Sequence, residues 1–579
     1  MARPSNTEIV AKYQSKIRAS RKWRTDEQFD DTWRRLIRMY RGKHYEYFST
    51  EDRLLVNICF QTVNVVAPSV SVNHPKITVN ATKPDDAPRA IITEAVINYW
   101  WRHFKVKPQF RRAVKDFLIT GHGWLKCGYR YVEESQVQEG DDNSDPNAPG
   151  NEATPTIIVT EDRPFVERVS PFDIYVDPDG TSMEDIGWIA QRIRRPIKEV
   201  KADLRYSKKA REYVSPTSWK RMSADGTAQD PYDKDEGFVE IWEFYDIRKR
   251  TMAVFADECE HFLIPPRPMP YAFGHPFVQI RNYDVPDEFY PIGDLEAIEP
   301  LQRELNETRT QMMNHRKRFA RKYLIQEERF DADGRAALES DTDNEMVPVK
   351  GGGPLGEAIQ PMPTVITPPE FYNQSNMIKD DIIGVSGVSE YMNGQMPDIR
   401  RTATEAGIIA DASNARAADK LATIEMAISE VATRMVALAQ QFMEGEQVAR
   451  ITGKDGQPVW VTFEPEYISG EFDFEVEAGS TQPNNESFRR QSALQMVDAM
   501  APFLQMGVID PRILATHLLQ FGFGIKNPDS FLAAPPPQMD PSQGQPQDPT
   551  QQMPPGMPPG MPPGMPPGGG MPMGMPPGM

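Results

Sequence analysis

Between Thr402 and Gly445 the chain carries one uninterrupted helical pattern, and a helix of that length limits what the rest can fold into. Leu421, Ile424, Ile428, Val431, Met435, Leu438 and Phe442 alternate by three and four residues, which makes a heptad-like apolar seam. Thr402-Ala403-Thr404-Glu405 matches a capping box, in which threonine and glutamate each satisfy a free N–H group of the first turn. Gly445 supplies the stop. At about 1.5 Å of rise per residue, roughly 40 residues span about 60 Å, more than an ordinary domain is wide. Such a helix needs neighbours along its whole length: it is kinked, it crosses two domains, or it packs against copies of itself. The seam reads as core, and Met426 and Arg434 lie off it, open to a neighbour.

A second helical stretch, Pro291 to Lys322, precedes it. Asp294 stands where a carboxylate would cap the first turn, and Leu295, Ile298, Leu301 and Leu305 form one stripe. Asp294, Glu296, Glu299, Glu304 and Glu307 crowd the first half; Arg316, Lys317, Arg318, Arg321 and Lys322 crowd the second. This order suits the helix dipole. A dipole accounts for a cation or two, not for five within seven residues.

The 579 residues are enough for several domains, and a charged fraction of 26% is ordinary for a folded chain. The net charge of −18 argues against a protein that grips nucleic acid over a broad surface, because phosphate binding needs cations. Three separated cysteines, Cys59, Cys127 and Cys259, do not read as a disulfide framework, and no Cys/His zinc spacing occurs. No signal peptide and no membrane span is read. The most apolar run, Leu54 to Val70, is interrupted by Asn57, Gln61 and Asn64 and reads as a buried helix.

Taken in order, Thr7 to Tyr40 reads as helix, with Gly42 as its stop. Val56 to Ser69 reads as a helix ended by Pro68, and Lys76 to Val79 as a strand. Helices over Asp86 to Phe104 and Pro108 to Ile119 are followed by a break at Gly121-His122-Gly123, where His122 reads as a loop residue. Trp124 to Val132, Thr156 to Thr160 and Phe165 to Val169 read as strands, and Glu133 to Asn151 as an acidic surface loop. Pro171 to Pro178 forms a compact bend. Phe238 to Tyr245 and Thr251 to Leu263 read as an antiparallel pair, and five prolines between Pro265 and Pro276 end the first domain. Beyond Lys322, short apolar pieces (Tyr323 to Ile325, Met346 to Val349) make a small β-containing insertion, and a helix runs from Pro369 to Ile383. Val459 to Phe463 and Phe472 to Glu477 read as strands. Glu486 to Leu504 and Pro511 to Phe521 read as helices. From Ala533 a Met-Pro-Pro-Gly repeat has no means of burying a core and reads as a tail.

The bend at Pro171 to Pro178, the helix with Glu299-Pro300-Leu301-Gln302-Arg303-Glu304-Leu305-Asn306, and the loop leading into Thr402-Ala403-Thr404-Glu405-Ala406 come in an order that resembles one family. These are the portal proteins, or head-to-tail connectors, of tailed double-stranded DNA bacteriophages. The resemblance covers residues 20 to 525 and implies an α+β, multidomain portal fold. It divides the chain into an α/β wing (1–290), a first stem helix (291–322), a β-containing clip (323–368) and a second stem helix (369–383). A tunnel loop (384–401), a long wing helix with strands (402–482), crown helices (483–532) and the tail (533–579) follow. It implies a ring-shaped channel, of twelve copies in the usual case, at one capsid vertex of the virion, assembled in the host cytoplasm. DNA is packaged through it by the terminase motor and later ejected. Expected partners are the terminase large subunit, head-completion or adaptor proteins, the tail, the major capsid and scaffolding proteins, and, in passing, DNA. No cofactor, catalytic group or membrane is expected.

The same resemblance makes Asp398, Arg400 and Arg401 candidates for the DNA channel, in a loop that otherwise reads as solvated. It turns Arg316, Lys317, Arg318, Arg321 and Lys322 into a basic belt repeated around the ring, facing the channel or acids of the next copy such as Asp380 and Asp381. Two other readings remain. Asp173 and Asp177 would be paired carboxylates in a metal-dependent nuclease of viral DNA processing, though an aspartate before Pro178 also suits a turn. The chain would otherwise be a different minor structural protein of a virion. Gly351-Gly352-Gly353 lacks the Lys-Ser/Thr of a phosphate loop, and no Gly-x-Ser-x-Gly elbow occurs.

Overall fold

A computed structural model describes residues 5–45, 53–70, 75–137, 155–217, 237–319, 323–340, 345–361, 369–388, 403–444, 447–452, 458–476, 486–505 and 510–523. The chain divides into two units, Met1–Ser492 and Ala493–Met579.

The first unit opens with α1 (Asn6–Asp26) and α2 (Phe29–Tyr40). The sequence reads these as one helix. Gln28 takes a left-handed conformation (φ 57°) between them, so the chain turns there. Then come α3 (Ile58–Val70), β1 (Ile77–Ala81), α4 (Ala87–His103), α5 (Val106–Thr120) and two long strands, β2 (His122–Val137) and β3 (Pro155–Val169). Pro68 does not end α3, which runs on to Val70, and β3 is one strand where the sequence suggests two. After β4 (Ile174–Val176) and β5 (Trp188–Pro196) lie the short helices α6 (Ile197–Ala202) and α7 (Lys208–Tyr213). They are followed by β6 (Phe238–Asp246), β7 (Thr251–Ala256), β8 (Phe262–Pro268) and β9 (Phe277–Arg281).

Strands β4 to β8 form one antiparallel sheet in chain order, and β2 is the centre of another, ordered β3-β2-β9. Pro265, Pro266 and Pro268 lie in β8, an edge strand, where a missing N–H does not break an inner ladder. Helix α1 covers the five-stranded sheet: Tyr13 stacks on Phe244 at 4.3 Å, and Val10 and Ile17 are buried beside it.

The remaining elements are helices α8 (Asp294–Phe319), α9 (Ala332–Glu339), α10 (Leu355–Ala358), α11 (Pro369–Ser386) and α12 (Ala403–Phe442), with β10 (Tyr323–Ile325) paired to β11 (Ile359–Pro361) between α8 and α11. This is the expected β-containing insertion, but Met346 to Val349 is not a strand, and α9 is helical where the sequence suggests turns. Two hairpin-like pairs complete the unit: β12 (Gln447–Thr452) with β13 (Pro458–Phe463), and β14 (Phe472–Val476) with the distant β1. The largest core joins α3, α4, α5, β2, α8, α11 and α12, and the seam residues Ile424, Ile428, Val431, Met435 and Leu438 are all buried in it. Helix α13 (Glu486–Gln505) runs across the boundary between the units, and α14 (Pro511–His517) belongs to the second. Among the described residues no helix is long and apolar enough to cross a membrane.

Candidate functional site

Helix α8 is fixed at its start by backbone contact. Gly121 closes α5 with φ 89°, and a Cβ there would stand 2.1 Å from the Pro291 carbonyl oxygen. A Cβ on Gly293 would stand 2.7 Å from the Ile119 carbonyl. Only glycine permits both the left-handed turn and this approach. Asp294, the first residue of α8, is buried, and Lys420 of α12 forms an ion pair with it inside the protein. Asn282 donates to the second oxygen at 3.4 Å, and the Lys420 ammonium lies 4.8 Å from the centre of the Tyr283 ring. Burial, with Asp294 next to it, pushes the Tyr283 hydroxyl up from its ordinary value. The sequence suggests Asp294 only as a cap; its strongest partner is on another helix.

One turn before Lys420, Arg416 donates to the Val385 carbonyl at 3.0 Å, at the C-terminal end of α11, where a guanidinium complements the helix dipole. Gly387 (φ 69°) turns the chain under that arginine, and Val388 is buried. Arg416 and Lys420 thus bring the end of α11 and the start of α8 to one place on α12. Farther along α12, Arg434 donates to the carbonyls of His275 (2.8 Å) and Phe277 (2.9 Å) and pairs with Glu430. It is buried and so is not the open position that the helical spacing suggests, whereas Met426 is exposed.

The flank of α8 is polar where it meets the segment before α3. Gln302 accepts from the Ile58 N–H (2.9 Å) and the Cys59 N–H (3.2 Å) and donates to the Val56 carbonyl (2.7 Å). Asn306 accepts from the Val56 N–H at 3.2 Å, and Thr310 accepts from the Leu54 N–H at 3.1 Å. These three side chains, four residues apart, serve the backbone of residues 54–59 as a partner strand would. The apolar stripe weakens past Leu305 for this reason; polar residues at i, i+4 and i+8 inside an apolar pattern were the available signal.

The other candidates fall as follows. Asp173 pairs with Arg192 at 2.9 Å, and Asp177 accepts from the Gly187 N–H at 3.2 Å. Each carboxylate has a structural partner, and among the described residues no group of three His, Cys, Asp or Glu could hold a metal ion. His122 is not a loop residue: it begins β2, fully buried against Trp33 and Tyr290, and burial followed by the Arg24 charge holds its pKa down to about 3. Of the basic cluster, Arg316 and Lys317 are exposed near the end of α8; the Arg318 side chain, Arg321 and Lys322 lie outside the described residues. Asp398, Arg400, Arg401 and the capping Thr402 lie outside them too.

A family profile described as phage SU10 portal protein matches residues 132–554, nearly three quarters of the chain. The chain belongs to that portal family. The matched span includes α8, α11, α12 and both insertions between them, so the junction at Lys420 is within the portal-family region. No curated protein matches the chain. Among solved structures, the virion of a native gene transfer agent particle is similar at 10% identity and a TM-score of 0.39. The neck of an empty particle of that kind, computed with C6 symmetry, is similar at 11% identity and the same TM-score. In both, 84% of this chain and 92% of the other are covered. The portal family is one of structural virion components, and the mixed helix-and-sheet architecture is as expected for it.

Proposed function

We infer that this chain is a portal subunit whose copies close into a ring at one capsid vertex, with double-stranded DNA passing inward during packaging and outward at ejection. The family match over residues 132–554 carries this reading. In it, α8 and α11 are the stem, residues 323–368 the clip, residues 1–290 and 402–482 the wing, and residues 483–532 the crown. The loop 384–401 lines the channel. Its two ends depart from the junction held by Arg416 and Lys420, so the loop is anchored on buried and half-buried charge rather than on apolar packing alone. The subunit catalyses nothing. It seats the terminase motor, then head-completion and tail proteins, within a shell of capsid and scaffolding proteins. The net charge of −18 suits a conduit, because an acidic wall repels the duplex and keeps it from sticking. Negative-stain images of the purified chain test this. Rings with a central pore and about twelve-fold symmetry are expected; monomers or closed shells would overturn it.

A further inference from the structure

Beside α8 lies a cleft of about 580 Å³ whose wall is strongly basic in a chain that is otherwise acidic. Arg34, Arg35, Arg38, Lys43, Arg53 and Arg303 line it, against the carboxylates of Asp31 and Glu307. Glu299, buried beneath, pairs with both Arg35 and Arg303, so among the described residues three carboxylates face six cations. Arg34, Arg35 and Arg303 remain well exposed at the rim. An excess of cations on a concave surface calls for an anionic occupant.

The chain carries a matching surface. Helix α11 packs on α8 and leaves Met377, Asp380 and Asp381 exposed. Gln374 of α11 donates to Glu304 of α8 at 3.4 Å, and the two helices are antiparallel, since Val385 and Asp294 meet α12 one turn apart. Counting back from that contact, five residues on each helix, Asp380 is level with Glu299, and so with Arg35. Arg303 and Glu304 are successive residues, about 100° apart around α8, so the cleft and α11 occupy different sides of the same helix.

We propose that the acidic face of α11 in one copy of this chain seats in the basic cleft of α2 and α8 in the next. This rests on the ring reading above. A ring needs two different, complementary patches on each subunit, and copies related by rotation alone make contacts between groups at matching heights. The cleft and the two aspartates meet both conditions. The cluster at Arg316 does not: it stands about 20 Å beyond Arg303 along α8, in the direction away from Asp380. Pairing it with the neighbour's aspartates would require a steeply inclined helix pair, so that cluster is left for another partner.

The test uses two variants of the full chain, Arg34→Glu with Arg38→Glu, and Asp380→Lys with Asp381→Lys. Each alone should lose rings in negative stain and native mass spectrometry while keeping its far-ultraviolet circular dichroism. Mixed one to one, they should form rings again, because every contact in an alternating ring then joins opposite charges. Rings from each variant alone at wild-type yield would overturn the contact but not the ring. A wild-type chain without rings would overturn the ring reading, and the contact with it. A milder pair, Arg34→Cys with Asp381→Cys, guards against misfolding: Cys59, Cys127 and Cys259 are buried, so oxidation should give a ladder of linked multimers on a denaturing gel, and no ladder would count against the contact.

Discussion

Lys420 and Asp294 form an ion pair with both side chains more than nine-tenths buried, and it ties the first residue of α8 to the middle of α12. Removing one partner leaves the other charge buried without compensation. Lys420→Met should destabilise the subunit by about 3–5 kcal/mol in chemical denaturation. Lys420→Met combined with Asp294→Asn should lose clearly less than the two single changes added together, since neither then strands a charge. Additive losses would mean that the two side chains do not act as a pair.

Gln302 tests the polar flank of α8. Gln302→Leu keeps the bulk of the side chain but leaves the Val56 carbonyl and the Ile58 and Cys59 amides without their partner. Each stranded backbone group costs about 1–3 kcal/mol. Faster hydrogen exchange at Ile58 and Cys59 is the expected signature, with amides of the distant β6 unchanged.

Two glycines should respond in opposite directions. Gly121→Ala brings a methyl group against the Pro291 carbonyl and strains a φ of 89°, so it should prevent stable folding. Gly384, within α11, has nothing within 4 Å of an added Cβ. Gly384→Ala should stabilise by about 0.5–1 kcal/mol through helix propensity alone. Melting temperatures of both variants check the contrast.

The subunit should be sensitive to acid in a defined window. Burial first, then neighbouring arginines, hold His122 at about 3 and His275 at about 4, below the ordinary value of 6.5. An unfolded chain therefore binds more protons than the folded one between these limits. Stability is complete above pH 6.5 and falls as pH drops, by about tenfold in the folding equilibrium per histidine per pH unit. The His275 contribution is exhausted near pH 4 and that of His122 near pH 3. His122→Phe, among the rings of Trp33, Trp124 and Tyr290, should reduce the slope by one proton; an unchanged slope would show that His122 does not titrate this way.

On the DNA side, isolated rings should bind linear duplex weakly, and more weakly as salt rises. Sub-micromolar binding that ignores salt would contradict a sliding channel. Replacing Arg400 and Arg401 by alanine should lower this residual binding further. Charge reversal at Arg318 and Arg321 separates two roles for the basic cluster: failed assembly assigns it to a protein partner, and intact rings that package poorly assign it to DNA.

The helical framework was legible because its signals are local. The spacing of Leu295, Ile298 and Leu305 and of Ile424 to Leu438 placed α8 and α12 to within a few residues. What escaped depends on which distant backbone each residue meets. Gly121 and Gly123 around His122 look like a turn, yet they are small because Pro291 and Ala113 press against them, and the histidine between them is core. Arg434 has the helical phase of a surface residue but finds two carbonyls in the chain before and within β9. Lys420 and Asp294 are 126 residues apart, so nothing in either local pattern marks them as partners. The tunnel-loop arginines came from family resemblance and lie outside the described residues.

The pairing of β1 with β14 sets when this subunit can be finished. Asn80 and Glu475 face each other across 395 residues, so the N-terminal strand waits for its partner until most of the chain has left the ribosome. Such a distant closure is slow compared with local helix formation. A chain released early, even one that has already made α8, α11 and α12, carries β1 as an open edge, which is the surface that aggregates or draws quality control. Translation length thereby acts as a filter on which chains are sound enough to be built into a larger particle.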